Sequence, residues 1–138
     1  MKAITLWQPW ASLWLTGAKI HETRTWPTKH RGSLAVHAAL RTIRPGELSH
    51  ELHLICQDYL GMDYAKNLET GAVLGVIELV DCVPTNGLIP ISRQDIVCGD
   101  FSAGRWAWRR DNLVKFEKPI NYRGRQGLWD FPATDILW

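Results

Sequence analysis

Cysteine is scarce in this chain: Cys56, Cys82 and Cys98 are the only three, and no two of them form a CxxC pair. An odd set of thiols without that spacing excludes a disulfide framework and a zinc knuckle, and a reducing cytoplasmic setting is expected. Long apolar runs are absent too. Nothing approaches the roughly 18 residues needed to cross a bilayer, so no membrane partner is expected. The opening Met1-Lys2-Ala3-Ile4 lacks the apolar core and cleavage site of a secretory signal. There is no glycine loop of the P-loop or dinucleotide kind, no metal-ligand spacing and no Ser/His/Asp order. The expectation is no cofactor and no metal. With no repeat or linker in 138 residues, residues 1–138 are expected to form a single domain.

Tryptophan, by contrast, is plentiful. Eight of them in so short a chain must serve mostly as core or cleft wall, because so much apolar area is rarely left in water. Net charge is only +2, but it is unevenly spread. Residues 1–44 hold seven Lys/Arg against one acid, residues 45–100 two against nine, and residues 101–138 seven against four. If the two ends meet in space, they build a basic face opposite an acidic middle, and such a face attracts a polyanion. Charges merely scattered over a solvated surface are the plainer alternative.

The patterning predicts a strand at Ala3–Leu6, then a helix opened by Gln8-Pro9, carrying Trp10, Leu13 and Trp14 on one face and stopped by Gly17. Strands are predicted at Lys19–Arg24 and Ser33–Ala38. A helix over 45–60 follows, with Pro45 and Glu47 near its start and Gly61 at its end. Ala72–Val83 reads as the longest strand. One helical turn near Ser92–Ile96 has Ser92 as N-cap. Arg105–Arg109, Leu113–Phe116 and Gly127–Phe131 supply the last strands. Short strands with helices inserted between them point to an α+β barrel rather than a parallel sheet.

Chemistry concentrates in Lys19–Arg24. In a strand, Ile20, Glu22 and Arg24 share one face, so an inward Ile20 brings a carboxylate and a guanidinium inward with it. Such groups need each other or a ligand. One reading is a cleft with Glu22 positioned by Arg24 and Lys19 offering a cation or base at its mouth. The other is a structural Glu–Arg pair beside a solvated lysine. Glu78 is placed by the same alternation with Leu74, Val76, Val80 and Cys82, either facing the cleft or turned to solvent by strand twist. Trp106 and Trp108 share a face that Arg110 continues, as a base-stacking platform or as core. His37, alternating opposite Leu34 and Val36 near the end of its strand, reads as a structural donor or as a catalyst. Arg123-Gly124-Arg125-Gln126-Gly127 reads as a basic turn before a strand.

Several segments together resemble a known family. Leu6-Trp7-Gln8-Pro9-Trp10-Ala11, Gly17-Ala18-Lys19, Glu22-Thr23-Arg24, Trp26-Pro27-Thr28 and Arg31-Gly32 are similar to the opening of ASCH domains, relatives of the PUA fold. Gly75-Val76, Asp81-Cys82-Val83, Gly99-Asp100-Phe101, Gly104 to Trp108 and Gly124 to Trp129 continue the likeness in order. The resemblance implies a PUA-like small β-barrel of five to six strands with short peripheral helices. It also implies a cleft beside the first helix, bounded by the segment running from Gly17 to Arg24. Family members bind RNA or sometimes DNA, and some are hydrolases acting on RNA or on acetylated cytidine. In the latter branch a lysine matches Lys19, while Glu22 stands where that branch carries a threonine.

Three functions follow as expectations. In the first, the domain binds nucleic acid or a nucleotide, RNA before DNA. Lys19, Arg24 and Arg31 meet phosphate, Glu22 reads a base donor, Trp7, Trp26 or Trp106 stacks, and Gln8 lies in the binding segment. In the second, the domain is a metal-independent hydrolase on RNA or a modified nucleoside, with Glu22 as general base and Lys19 stabilising the developing anion. In the third, the acidic middle docks a protein partner.

Overall fold

In a computed structural model the described residues are 1–41, 43–44, 46–87 and 91–132. Six strands form one curled sheet in the order β2-β5-β4-β3-β1-β6. In chain order they are β1 (Lys2–Leu6), β2 (His21–Arg24), β3 (Gly32–Ala38), β4 (Ala72–Pro84), β5 (Trp106–Asn121) and β6 (Leu128–Asp130). β1 and β3 run parallel, and every other neighbouring pair is antiparallel. Among the described residues four α-helices accompany the sheet: α1 (Trp10–Trp14), α2 (His50–Leu60), α3 (Tyr64–Asn67) and α4 (Arg93–Val97). The result is a half-barrel with peripheral helices, as expected. None of the described helices is long and apolar enough to cross a membrane.

Alternation along the strands divides the core. Ile4, Leu6, Leu34, Val36 and Ala38 point inward with Trp108, where α1 adds Ala11 and Trp14, and its C-cap Leu15 joins them. Ala3, Ala35, Trp129 and Phe131 form a second cluster on the sheet's other side. A third joins α1 to α2 and α3 through Leu13, Leu52, Cys56 and Tyr64. The first and last strands do meet: β6 lies beside β1, with the Met1 and Phe131 backbones exchanging two hydrogen bonds of 2.8 Å. Cys56 and Cys98 are buried free thiols whose pKa values burial pushes up, to about 12 and about 11, so both are inert at neutral pH.

Several boundaries depart from the sequence reading for identifiable reasons. α1 ends before Gly17, because the Thr16 hydroxyl takes up the Leu13 carbonyl at 2.8 Å. α2 starts after Ser49, whose side chain accepts from the Leu52 N–H, and Glu47 instead accepts from the Arg44 N–H. Pro45 lies outside the described residues. Ser92 caps α4 as expected, accepting from the Asp95 N–H. The two strands expected at Arg105–Arg109 and Leu113–Phe116 are one strand of 16 residues. The polar Arg110-Asp111-Asn112 stretch is carried by offset bulges, with Ile77 opposite Leu113, Leu79 opposite Arg110 and Asp81 opposite Arg109.

The same irregularities overturn the expected single face of β4. Leu74 points inward, but past Gly75 the phase shifts, so that Ile77 and Leu79 point inward and Val76 outward. Glu78 therefore turns to solvent, accepting from Asn112 Nδ2 at 2.8 Å, and Cys82 returns to the interior side. Gly75 is required here: a Cβ would lie 2.3 Å from the Val114 carbonyl oxygen.

Candidate functional site

β1 and β2 are not neighbours in the sheet, yet residues of both face one cleft. Its volume is about 580 Å³. Thr5, Trp7 and Trp10 line one side, Glu22, Thr23 and Arg24 the other, with Leu52 from α2 and the Val97–Asp100 stretch and Arg105 completing the wall.

β2 begins at His21, and just before it the Ile20 backbone is bonded by side chains as well as by the Arg110 N–H of β5 at 3.1 Å. The Ile20 N–H donates to Asp95 Oδ1 at 2.9 Å, and the Ile20 carbonyl accepts from Trp14 Nε1 at 2.9 Å. Ile20 is 44% exposed, so the condition of an inward Ile20 is not met. Glu22 and Arg24 do share a face, opposite Trp108 and Trp106 of β5. Lys19 is not solvated at the mouth. Its side chain is fully buried, and its ammonium bonds Glu22 Oε1, while Arg24 Nη1 stands 3.9 Å from Glu22 Oε2. Glu22 is thus held chiefly by Lys19 from behind and presents its other oxygen toward the cleft side occupied by Arg24. Arg110, expected to continue the tryptophan face, clamps the turn between α1 and β2 through the carbonyls of Trp14, Thr16 and Lys19.

His21 on the opposite face of β2 bonds Asp95 Oδ2 through Nδ1 at 2.5 Å. Burial works to raise the Asp95 pKa, but the bonds from His21 and from the Ile20 and His21 N–H groups outweigh it and hold it below the usual carboxylate range. This fastens α4 to β2 and so fixes the segment after it. Thr23 Oγ1 accepts from the Asp100 N–H at 3.1 Å, and Arg105 donates to the carbonyls of Asp100 and Thr23. Ser102, through its hydroxyl and N–H, keeps the Asp100 pKa low.

Of the residues singled out from sequence, the structure brings Trp7, Glu22 and Arg24 together on the cleft wall, with Lys19 directly behind Glu22. Trp7 is 56% exposed, its ring covered by the Arg41 guanidinium at 4.3 Å. The other four lie off the wall. Gln8 is buried and caps α1, accepting from the Ser12 N–H and donating to Ser12 Oγ and the Glu69 carbonyl. Trp26 packs edge-on against Trp108 at 4.9 Å, and Trp106 is half-buried against the interior cluster. Arg31 donates to the Thr28 and His30 carbonyls and sits 3.9 Å from Asp81. His37 is structural, bonding the Tyr122 carbonyl through Nε2 and meeting Thr5 Oγ1 through Nδ1; burial lowers its pKa.

Sequence reasoning missed Trp10, Thr23, Asp100 and Arg105 as cleft residues. Asp100 and Arg105 lie in two of the segments that carry the family resemblance, and that was the available signal. The wall is balanced in charge, Arg24 and Arg105 against Glu22 and Asp100. Among the described residues no group of three or more His, Cys, Asp or Glu side chains is placed to hold a metal ion.

Comparison with known proteins agrees with this architecture. The fold resembles the crystal structure of ASCH from Zymomonas mobilis, with a TM-score of 0.55 at 16% identity, covering 97% of this chain and 89% of that one. Activating signal cointegrator 1 of Homo sapiens and of Mus musculus are each 37% identical to it over 82 residues, 58% of this chain. The match spans only 14% of the length of either relative. The ASCH domain model matches residues 4–103, from β1 through the cleft segment that contains Asp100, and on that match the chain belongs to the ASCH domain family.

Proposed function

We propose that the cleft binds single-stranded RNA, taking one base between its walls. The observation that carries this reading is the Glu22 carboxylate, buried, held from behind by Lys19 and set in the wall of an open cleft with the exposed indole of Trp7 at its side. A carboxylate so held accepts an N–H from a base edge, an indole offers it a stacking face, and Arg24 and Arg105 supply donors for phosphate or sugar. Arg41 over Trp7 keeps that ring in place. Such binding weakens with salt, the slope reporting how many phosphates are met.

The same carboxylate serves a hydrolytic reading, as general base toward water or a ribose hydroxyl. Lys19 would act there through Glu22, since it lies behind the wall.

Titration of a labelled RNA oligomer against wild type and two variants tests both readings. Glu22→Gln is expected to weaken binding about tenfold to a hundredfold, the worth of one charge-assisted hydrogen bond. Trp7→Ala, which leaves the Lys19–Glu22 pair intact, is expected to lose roughly 1–3 kcal/mol of stacking. Wild-type affinity in both variants sinks the binding reading. Mass spectrometry of the recovered RNA addresses the hydrolytic one: cleavage by wild type that disappears in Glu22→Gln supports it, and intact RNA removes it.

A further inference from the structure

The cleft wall carries as much negative as positive charge, so a polyanion held there needs cations from beyond it. The turn between β5 and β6 has them. Arg123 and Arg125 are both exposed, and neither is in an ion pair among the described residues. Arg31 is paired with Asp81, Arg41 with Glu47, Arg93 with Glu51 and Arg105 with Asp100, while the exposed Arg44 and Arg109, like Arg123 and Arg125, are in no ion pair among the described residues.

The turn is anchored beside the cleft. Its first residue, Tyr122, gives its carbonyl to His37 Nε2 at 2.7 Å, donates its N–H to the Gly71 carbonyl at 3.1 Å, and stacks its ring on Trp129. Gly124, between the two arginines, is pressed so closely onto the β1–β3 pair that a Cβ would lie 2.7 Å from Thr5 Oγ1 and 2.6 Å from His37 Cε1. Thr5 is itself a cleft-lining residue. Only a glycine lets the backbone come this near, and its consequence is that the residues on either side of it, Arg123 and Arg125, are carried on backbone packed against the cleft-lining Thr5.

We propose that the Arg123–Gly127 turn is a phosphate-binding arm, which meets the backbone of a single-stranded RNA where it leaves the cleft past Thr5. This rests on the RNA-binding reading and deepens it, separating a base-holding cleft from a backbone-holding arm. The arm acts on a chain of several nucleotides and has no part in holding a lone nucleotide.

The experiment compares wild type with Arg123→Gln/Arg125→Gln, and with Lys115→Gln/Lys118→Gln, which removes the same charge from exposed positions on β5. Each is titrated with a single-stranded RNA decamer at several salt concentrations and with a nucleoside monophosphate at one. In the arm variant the slope of log affinity against log salt is expected to shrink by about 1.4, two phosphates at roughly 0.7 each for a single strand. Its affinity for the monophosphate is expected to stay at the wild-type level, and the lysine variant to keep the wild-type slope. A decamer slope unchanged in the arm variant, or reduced equally in the lysine variant, overturns the arm while leaving the cleft reading standing. Absence of binding by wild type to either ligand overturns both.

Discussion

Lys19→Met is expected to destabilise the fold by about 3–5 kcal/mol, the cost of leaving a buried charge without its partner. Methionine keeps most of the stem's length and apolar contacts, so the loss falls on the ammonium alone. Glu22 would then keep only Arg24, at 3.9 Å, in a place where its side chain is 9% exposed. The pair as a unit need not be stabilising, since replacing both members with neutral groups of like volume is often near neutral. Lys19→Met/Glu22→Gln is therefore expected to recover much of the loss. Urea unfolding of the two variants measures this. A single variant within about 1 kcal/mol of wild type would mean that Lys19 does not carry Glu22 in the way described.

The second large effect belongs to Trp108. It is fully buried, packs edge-on against Trp26, donates its indole N–H to the Trp26 carbonyl at 3.2 Å, and pairs across the strands with Glu22. Trp108→Ala is expected to cost about 3–5 kcal/mol, from lost burial and the cavity left behind. Trp106→Ala, two residues away on the same face but half-buried, is expected to cost clearly less. Thermal unfolding by calorimetry reads both. Equal losses at the two positions would contradict the division into an interior tryptophan and a flanking one. Because Trp108 supports the strand that carries Glu22, its loss is also expected to lower RNA affinity without any direct contact to the ligand.

Much of the local structure was legible in the sequence. Ser92 could be read as an N-cap because a hydroxyl before a helical turn satisfies a free N–H, and it does. Alternation placed His37 opposite Leu34 and Val36, which is how the strand lies. What could not be read was anything depending on a distant segment. A period-two rule predicts one face for Leu74, Val76 and Glu78, but it cannot see that β5 crowds Gly75 and shifts the phase of β4. The same rule leaves the direction of Ile20 open, and its surroundings depend on Asp95, 75 residues away, and on Trp14, which both bond its backbone.

The candidate site shows the same division. Lys19, Glu22 and Arg24 stood out because ionised groups clustered in one short segment need partners. Their roles did not, because the depth of Lys19 depends on how α1 and the Arg110 clamp fold over it. Trp26, Trp106 and Gln8 were attractive as ligand contacts for their chemistry alone, yet packing and capping occupy them. Asp100 and Arg105 became cleft residues only when the segment after α4 closed onto Thr23.

Photocrosslinking of a short single-stranded RNA to the wild-type protein, followed by peptide mapping, tests most directly whether the cleft between β1 and β2 is the binding site. Crosslinks are expected on the peptides that carry Trp7 and Trp10 and those that carry Glu22 to Arg24. Crosslinks confined to the acidic stretch over residues 45–70, or none above the level of a denatured control, would contradict that assignment.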